Sequence, residues 1–261
     1  MAVTTEQVLT SAGGLPRIAQ AIPAHAGQPE PAQAPQDLTS AAGLQRLLQL
    51  SSPILPVGAY SYSQGLEAAA EAGDVHDTES AGGWISGVLR HSVARLEAPI
   101  LVRLLAAWSR DDEAAVAHWN ERFVASRESA ELRAETLQMG YSMRTLVQSL
   151  ELPGAARLSR IAALSWPAAW SLAAQVWRVD PAQALTGYLW AWAENQVLAA
   201  LKIVPLGQTD GQRLLLALSG PLAAAARTAS ELRDDELGAF TPRLALLSAR
   251  HESQYSRLFR S

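Results

Sequence analysis

From Thr39 onward, apolar residues recur at three- and four-residue spacing, and no stretch alternates apolar with polar as a half-buried strand would. That period places apolar side chains along one stripe of a helix, so the chain is expected to be all-α. Proline and glycine divide the pattern into a single domain of about ten helices over residues 39–261. Ser40 caps a first helix that reaches Leu50. A loop follows from Ser52-Pro53 to Gly58, then a helix from about Tyr60 to Ala72 that stops at Gly73. Thr78 opens the next as a simple cap. Pro99, Asp111, Pro153, Pro167 and Asp180-Pro181 mark further starts. Long helices are expected over about 126–150 and 181–204. The last is expected from Pro242 almost to Ser261.

The first 38 residues read differently. Pro23 to Asp37 is dominated by Pro, Ala and Gln, which bury too little apolar surface to offset the entropy of ordering. A disordered tail over 1–38 is expected, with a short helix near 5–12.

Composition removes several function classes. A net charge of −4 lacks the excess of cations that phosphate contacts need, so nucleic-acid binding is not expected. With no cysteine, thiolate metal sites, disulfides and cysteine nucleophiles are absent. No signal peptide is visible, and a cytoplasmic address is expected. The charge-free stretch between Arg160 and Arg178 is interrupted by Pro167 and reads as buried helix, so no membrane span is expected.

Catalytic signatures are missing too. There is no Walker A loop, dinucleotide fingerprint or nucleophile elbow. His251-Glu252 begins like a zinc-protease helix, but Tyr255 stands where the second histidine would be. His25, His76, His91, His118 and His251 have no helical pairing, so no metal ligands are assigned and no catalytic residues either. Arg127, Glu131 and Glu135, with Arg133 near, read as a solvated, ion-paired helix face.

Three segments exceed what a helical core requires. In the first, Tyr62, Leu66 and Ala69 share a core face, while Tyr60, Gln64, Glu67 and Glu71 share a polar one suited to a partner. The second ends the helix that carries Asn195 and Lys202. Among 21 Lys plus Arg, Lys202 is the one lysine, placed where the helix dipole favours a cation or where a partner needs a point charge. The third is Arg250-His251-Glu252-Ser253-Gln254-Tyr255-Ser256-Arg257-Leu258-Phe259-Arg260-Ser261. Leu244, Leu247, His251, Tyr255 and Leu258 form one stripe, which makes His251 a core residue. Arg250, Gln254 and Arg257 form another, and an end so rich in Tyr, Phe and Arg reads as a docking element.

These blocks, in this order, resemble the urease accessory protein UreF family, as do Arg127-Glu128-x-x-Glu131-Leu132-Arg133 and Gln138-Met139-Gly140. The resemblance covers about residues 44–261. It implies an all-α homodimer that is not an enzyme. It implies binding to the accessory protein UreD, also called UreH, and recruitment of the GTPase UreG for maturation of the urease apoenzyme. Nickel would be handled by that complex, with no cofactor held stably by this chain. Carried over by position, partner-facing residues are Tyr60, Glu67, Lys202 and Arg257, with 250–261 as a docked segment. The candidate partner-binding set is therefore Tyr60, Gln64, Glu67, Lys202, Arg250, Gln254, Tyr255, Arg257, Phe259 and Arg260.

Three other readings stay open on sequence alone. Glu67 and Lys202 could form an acid–base pair in a cleft. Arg257 or Arg260 could act on the GTPase as an arginine finger. Histidines 76, 91, 118 and 251 could bind nickel directly if folding or dimer symmetry gathered them.

Overall fold

A computed structural model describes residues 41–261. The expectations for residues 1–38, including the short helix near 5–12, lie outside the described residues. Among these residues the structure is helical, without a strand.

The helices are α1 (Ala41–Leu50), α2 (Leu66–Glu71), α3 (Thr78–Val88), α4 (Ala98–Ser109), α5 (Glu113–Ala125) and α6 (Ala130–Ser149). They continue as α7 (Ala155–Ser159), α8 (Trp166–Val176), α9 (Pro181–Ile203), α10 (Gln208–Glu231) and α11 (Pro242–His251). The buried middle is α8, whose residues from Pro167 to Ala174 are all shielded from solvent. It packs against α4, α6 and α9. Its alanines keep that packing close, and Trp170 fills the remaining width. The Trp108 indole N–H of α4 donates to the Ala168 carbonyl at 3.1 Å. A fully buried tryptophan of this kind contributes roughly 4–6 kcal/mol in hydrophobic transfer.

The approach of α6 to the start of α8 depends on Gly140. A Cβ there would lie 2.1 Å from the Leu164 carbonyl oxygen. The polar groups of this crowded entry are met by side chains: Asn120 bonds Ala163 O and Ser165 N–H, and Thr136 Oγ1 accepts from Trp166 N–H. From Leu164 on the charge-free stretch is largely interior, and among the described residues no helix is long and apolar enough to cross a membrane.

Pro99 starts no separate helix. α3 and α4 are one continuous rod, joined by a π-helical segment, Leu89–Glu97. Pro99 has no N–H for the Arg95 carbonyl, which instead accepts from Gly238 N–H, while His91 O accepts from Phe240 N–H. The link between α10 and α11 is therefore fastened to the wide part of this rod.

Other boundaries differ from expectation, among them the start of α6 at Ala130 rather than about 126. The cap of α3 is Asp77, not Thr78; its carboxylate takes Ser80 N–H, and Ser80 Oγ takes Asp77 N–H. The expected helix over 60–72 is broken: Ala59–Ser61 is one turn of 3-10 helix, and α2 begins only at Leu66. Gln64 at φ 52° and Gly65 at φ 80° turn the chain between them. Lastly, α11 stops at His251, and residues 252–261 run on without helix.

Candidate functional site

The break at Gln64-Gly65 is what builds the site. Gly65 lets α11 come close, since a Cβ there would meet Leu244 Cδ1 at 2.8 Å. With α2 so placed, its first-turn Glu67 points inward and is only 6 % exposed. The polar face assigned to Tyr60, Gln64, Glu67 and Glu71 does not exist as one surface: Glu71 is exposed, Tyr60 and Gln64 are half-buried, and Glu67 is interior.

A buried carboxylate needs donors, and Glu67 has three. His251 Nε2 lies 3.1 Å from Oε2, Leu258 N–H donates to Oε1 at 2.7 Å, and Phe259 N–H donates to Oε2 at 2.9 Å. The second ring nitrogen of His251 faces Glu131 Oε2 at 2.6 Å, and Arg257 bonds Glu131 Oε1 at 2.7 Å. His251 is thus a core residue, as its stripe suggested, and is held by a carboxylate on each side. Leu244 and Leu247 of that stripe are buried too, but beyond His251 it fails, because the helix has ended: Tyr255 and Leu258 are exposed.

Residues 257–261 form a strap across this network. Arg260 N–H donates to Ser61 O, and Ser261 O accepts from Ser63 N–H and Ser63 Oγ. Ser261 Oγ donates to Glu135 Oε2 at 2.9 Å. Gln64 Nε2 donates to Glu135 Oε1 at 2.6 Å, and its amide oxygen accepts from Trp192 Nε1. Glu131 and Glu135 are therefore not a solvated face, and Arg127 stands before α6 rather than on it. Burial pushes the Glu135 carboxyl up to about 7, against the opposing pull of its bonds from Gln64 and Ser261. Glu97 adds to the rise and Arg127 offsets it in part.

Above the strap the picture is cationic and aromatic. Lys202, exposed at the end of α9, lies 5.4 Å from the Phe259 ring centroid and 6.0 Å from that of Tyr60. Asn195, one stripe position earlier, donates to Tyr62 O. Burial raises the Tyr60 hydroxyl above its ordinary value, and the nearby Glu194 adds to this. Arg250, Gln254 and the fully exposed Tyr255 line an open groove with Glu71 and Leu247.

Of the ten residues chosen from sequence, the strap joins Tyr60, Gln64, Glu67, Lys202, Arg257, Phe259 and Arg260 into one region. Glu67 and Phe259 are buried and shape it from beneath, while Lys202, Arg257 and Arg260 are exposed on it. Sequence reasoning passed over Glu131, Glu135, Ser63 and Ser261. Their spacing on α6 placed the two glutamates on one face, but nothing local said that the face points inward.

Glu67 and Lys202 make no acid–base pair: the carboxylate is committed to His251 and the strap, and the ammonium faces two rings. Among the described residues no three His, Asp or Glu side chains are arranged to hold a metal ion. His76, His91 and His118 are exposed, and His25 lies outside the described residues.

The sequence matches the family model named UreF over residues 75–219. Of the ten chosen residues only Lys202 falls in that interval. A urease accessory protein UreF of Azoarcus sp. (strain BH72) is 56% identical over 223 residues, covering 84% of this chain and 95% of the relative. The corresponding proteins of Dechloromonas aromatica (strain RCB) and Methylobacillus flagellatus (strain ATCC 51484 / DSM 6875 / VKM B-1610 / KT) are 51% and 46% identical. They cover 84% and 86% of this chain, and 97% and 100% of their own lengths.

Proposed function

The chain belongs to the UreF family of urease accessory proteins, and from that premise we propose that it is a non-catalytic scaffold for nickel insertion into urease. In this reading it works in the cytoplasm as a homodimer, binds UreD (UreH) and recruits the GTPase UreG to the urease apoenzyme. It holds no cofactor of its own, and nickel passes within the assembled complex.

The observation that carries the reading is a set of exposed cations on a buried carboxylate frame: Lys202 facing the Tyr60 ring, and Arg257 and Arg260 on the strap. Aromatic and arginine side chains on a rigid base are what binding hot spots are made of. The buried groups beneath it are occupied by one another, which suits a frame better than a reaction centre.

The test is co-purification of the full chain with UreD and UreG, with nucleotide and nickel present, beside a chain lacking residues 250–261. The intact chain is expected to capture both partners, and the shortened one to lose UreG. Failure of the intact chain to take up UreG sinks the recruitment claim.

A further inference from the structure

His251 lies between two carboxyl groups whose other partners can only donate. On the α2 side, Glu67 accepts the Leu258 N–H on Oε1 and the Phe259 N–H on Oε2. On the α6 side, Glu131 accepts from the Arg257 guanidinium on Oε1. Backbone amides and guanidinium groups have no lone pair to offer, so both acids act as acceptors, and such bonds favour the ionised carboxylate.

The ring closes on both acids at once. Its Nε2 is 3.1 Å from Glu67 Oε2, and its Nδ1 is 2.6 Å from Glu131 Oε2. A neutral imidazole has one N–H and one bare nitrogen. In either tautomer it would therefore set a lone pair against a carboxylate oxygen at hydrogen-bond distance. Only the imidazolium donates at both ends. The ring is wholly buried and both contacts are direct, which leaves no room for a bridging water to relieve a mismatch. Its position adds a second argument. His251 is the last residue of α11, where the unpaired carbonyls of a helix end favour a cation.

The charged groups that face the ring come from the two helices packed on α11: Glu67 of α2 and Glu131 of α6. Arg257 reaches it only through Glu131. Glu135, also on α6, is engaged by Gln64 and Ser261, and Glu252, next to His251 in the chain, accepts the Ala130 N–H. With the ring charged, the cations of His251 and Arg257 balance the anions of Glu67 and Glu131.

We propose that His251 is a doubly protonated positioning residue for the strap. Its two N–H groups fix the Glu67 and Glu131 carboxylates, which in turn hold the backbone at 258–259 and the Arg257 side chain. When the ring gives up one proton to solvent, one contact becomes repulsive and one negative charge is left uncompensated away from water. Strap docking is thus complete while the ring is charged and weakens as pH rises through the titration of the ring. That this matters for partner capture rests on the scaffold reading above; the ring's protons and their hold on the strap do not.

Nitrogen-15 NMR of the labelled full-length chain reads the ring directly. At pH 7 both nitrogens of His251 are expected to bear a hydrogen; a bare nitrogen at that pH overturns the proposal. As pH is raised further, hydrogen-exchange protection at Leu258 and Phe259, corrected for intrinsic rates, is compared with the ring's own titration. Protection is expected to fall by up to roughly tenfold per pH unit on approach to the ring's midpoint and to level off above it. Protection that ignores the loss of the ring proton overturns the proposal. His251→Gln keeps one donor but carries no charge, and it is expected to lose strap protection by roughly tenfold or more. Wild-type protection in that folded variant also overturns the proposal; should the variant not fold, the two wild-type measurements decide. None of these readouts involves a partner, so they can fail while UreG capture stands, and the reverse.

Discussion

His251 Nε2 lies 3.1 Å from the Glu67 carboxylate, with the ring wholly buried and the acid 6 % exposed, and the opposite ring nitrogen meets Glu131. One imidazole therefore ties α2, α6 and α11 together at the point where the strap crosses them.

Removing that ring leaves the buried Glu67 and the half-buried Glu131 without their shared partner. His251→Ala is expected to lower unfolding stability by about 3–5 kcal/mol, the usual result when one member of a buried pair is deleted. His251→Gln keeps one donor and is expected to cost less. Urea denaturation of the three proteins measures the order, and equal stability of wild type and His251→Ala would contradict it.

Two glycines give opposite expectations. Gly140→Ala would set a methyl 2.1 Å from the Leu164 carbonyl oxygen, so α6 or α8 must shift. A loss of about 1–3 kcal/mol is expected from such overpacking. At Gly83, exposed in α3, an added methyl meets nothing within 4 Å. Gly83→Ala is expected to gain about 0.5–1 kcal/mol through helix propensity. Thermal melts of both variants should move in opposite directions.

Glu135 sets a pH dependence of global stability. Its folded-state value, raised from 4.5 to about 7 by burial, means that its favourable contribution is full below 4.5 and is lost as pH rises through 7. Over that window the wild-type chain is expected to lose up to about 3 kcal/mol relative to Glu135→Gln. Denaturant unfolding at pH 5 and pH 8 measures the difference of differences; a zero value would show that the carboxyl is hydrated.

Lys202 separates binding from folding. It is exposed and faces two rings, a contact that contributes only about 0.5–1 kcal/mol at such sites. Lys202→Glu is thus expected to unfold within about 1 kcal/mol of wild type while capture of UreD and UreG falls at least roughly tenfold. Normal capture by the charge-reversed chain would remove Lys202 from the interface.

Much of the scaffold was legible in the sequence because it is written in local chemistry. Asp180-Pro181 starts α9 and Pro205 follows its end, so the expected span missed by one residue; Ser165 and Pro167 start α8 in the same way. The site was legible in composition but not in arrangement. Helical spacing carried through Gln64-Gly65 and past His251, because neither the left-handed turn nor the end of α11 leaves a break in the apolar pattern. Both are decided by tertiary bonds, to Glu135 from Gln64 and to Glu67 from the strap. The same cause hid the inward face of α6: a glutamate is read as solvated until its buried partners are known.

The π-helical stretch in the long rod has a mechanical corollary. Its His91 and Arg95 carbonyls hold the link at Phe240 and Gly238, and α11 begins two residues later at Pro242. The rod thus works as a gauge that fixes where α11 starts, and through α11 where His251 comes to rest. Deleting one residue within 89–97 would leave a good ordinary helix and still lose that setting. Damage to the docking end could then arise from a change whose own neighbourhood stays well folded.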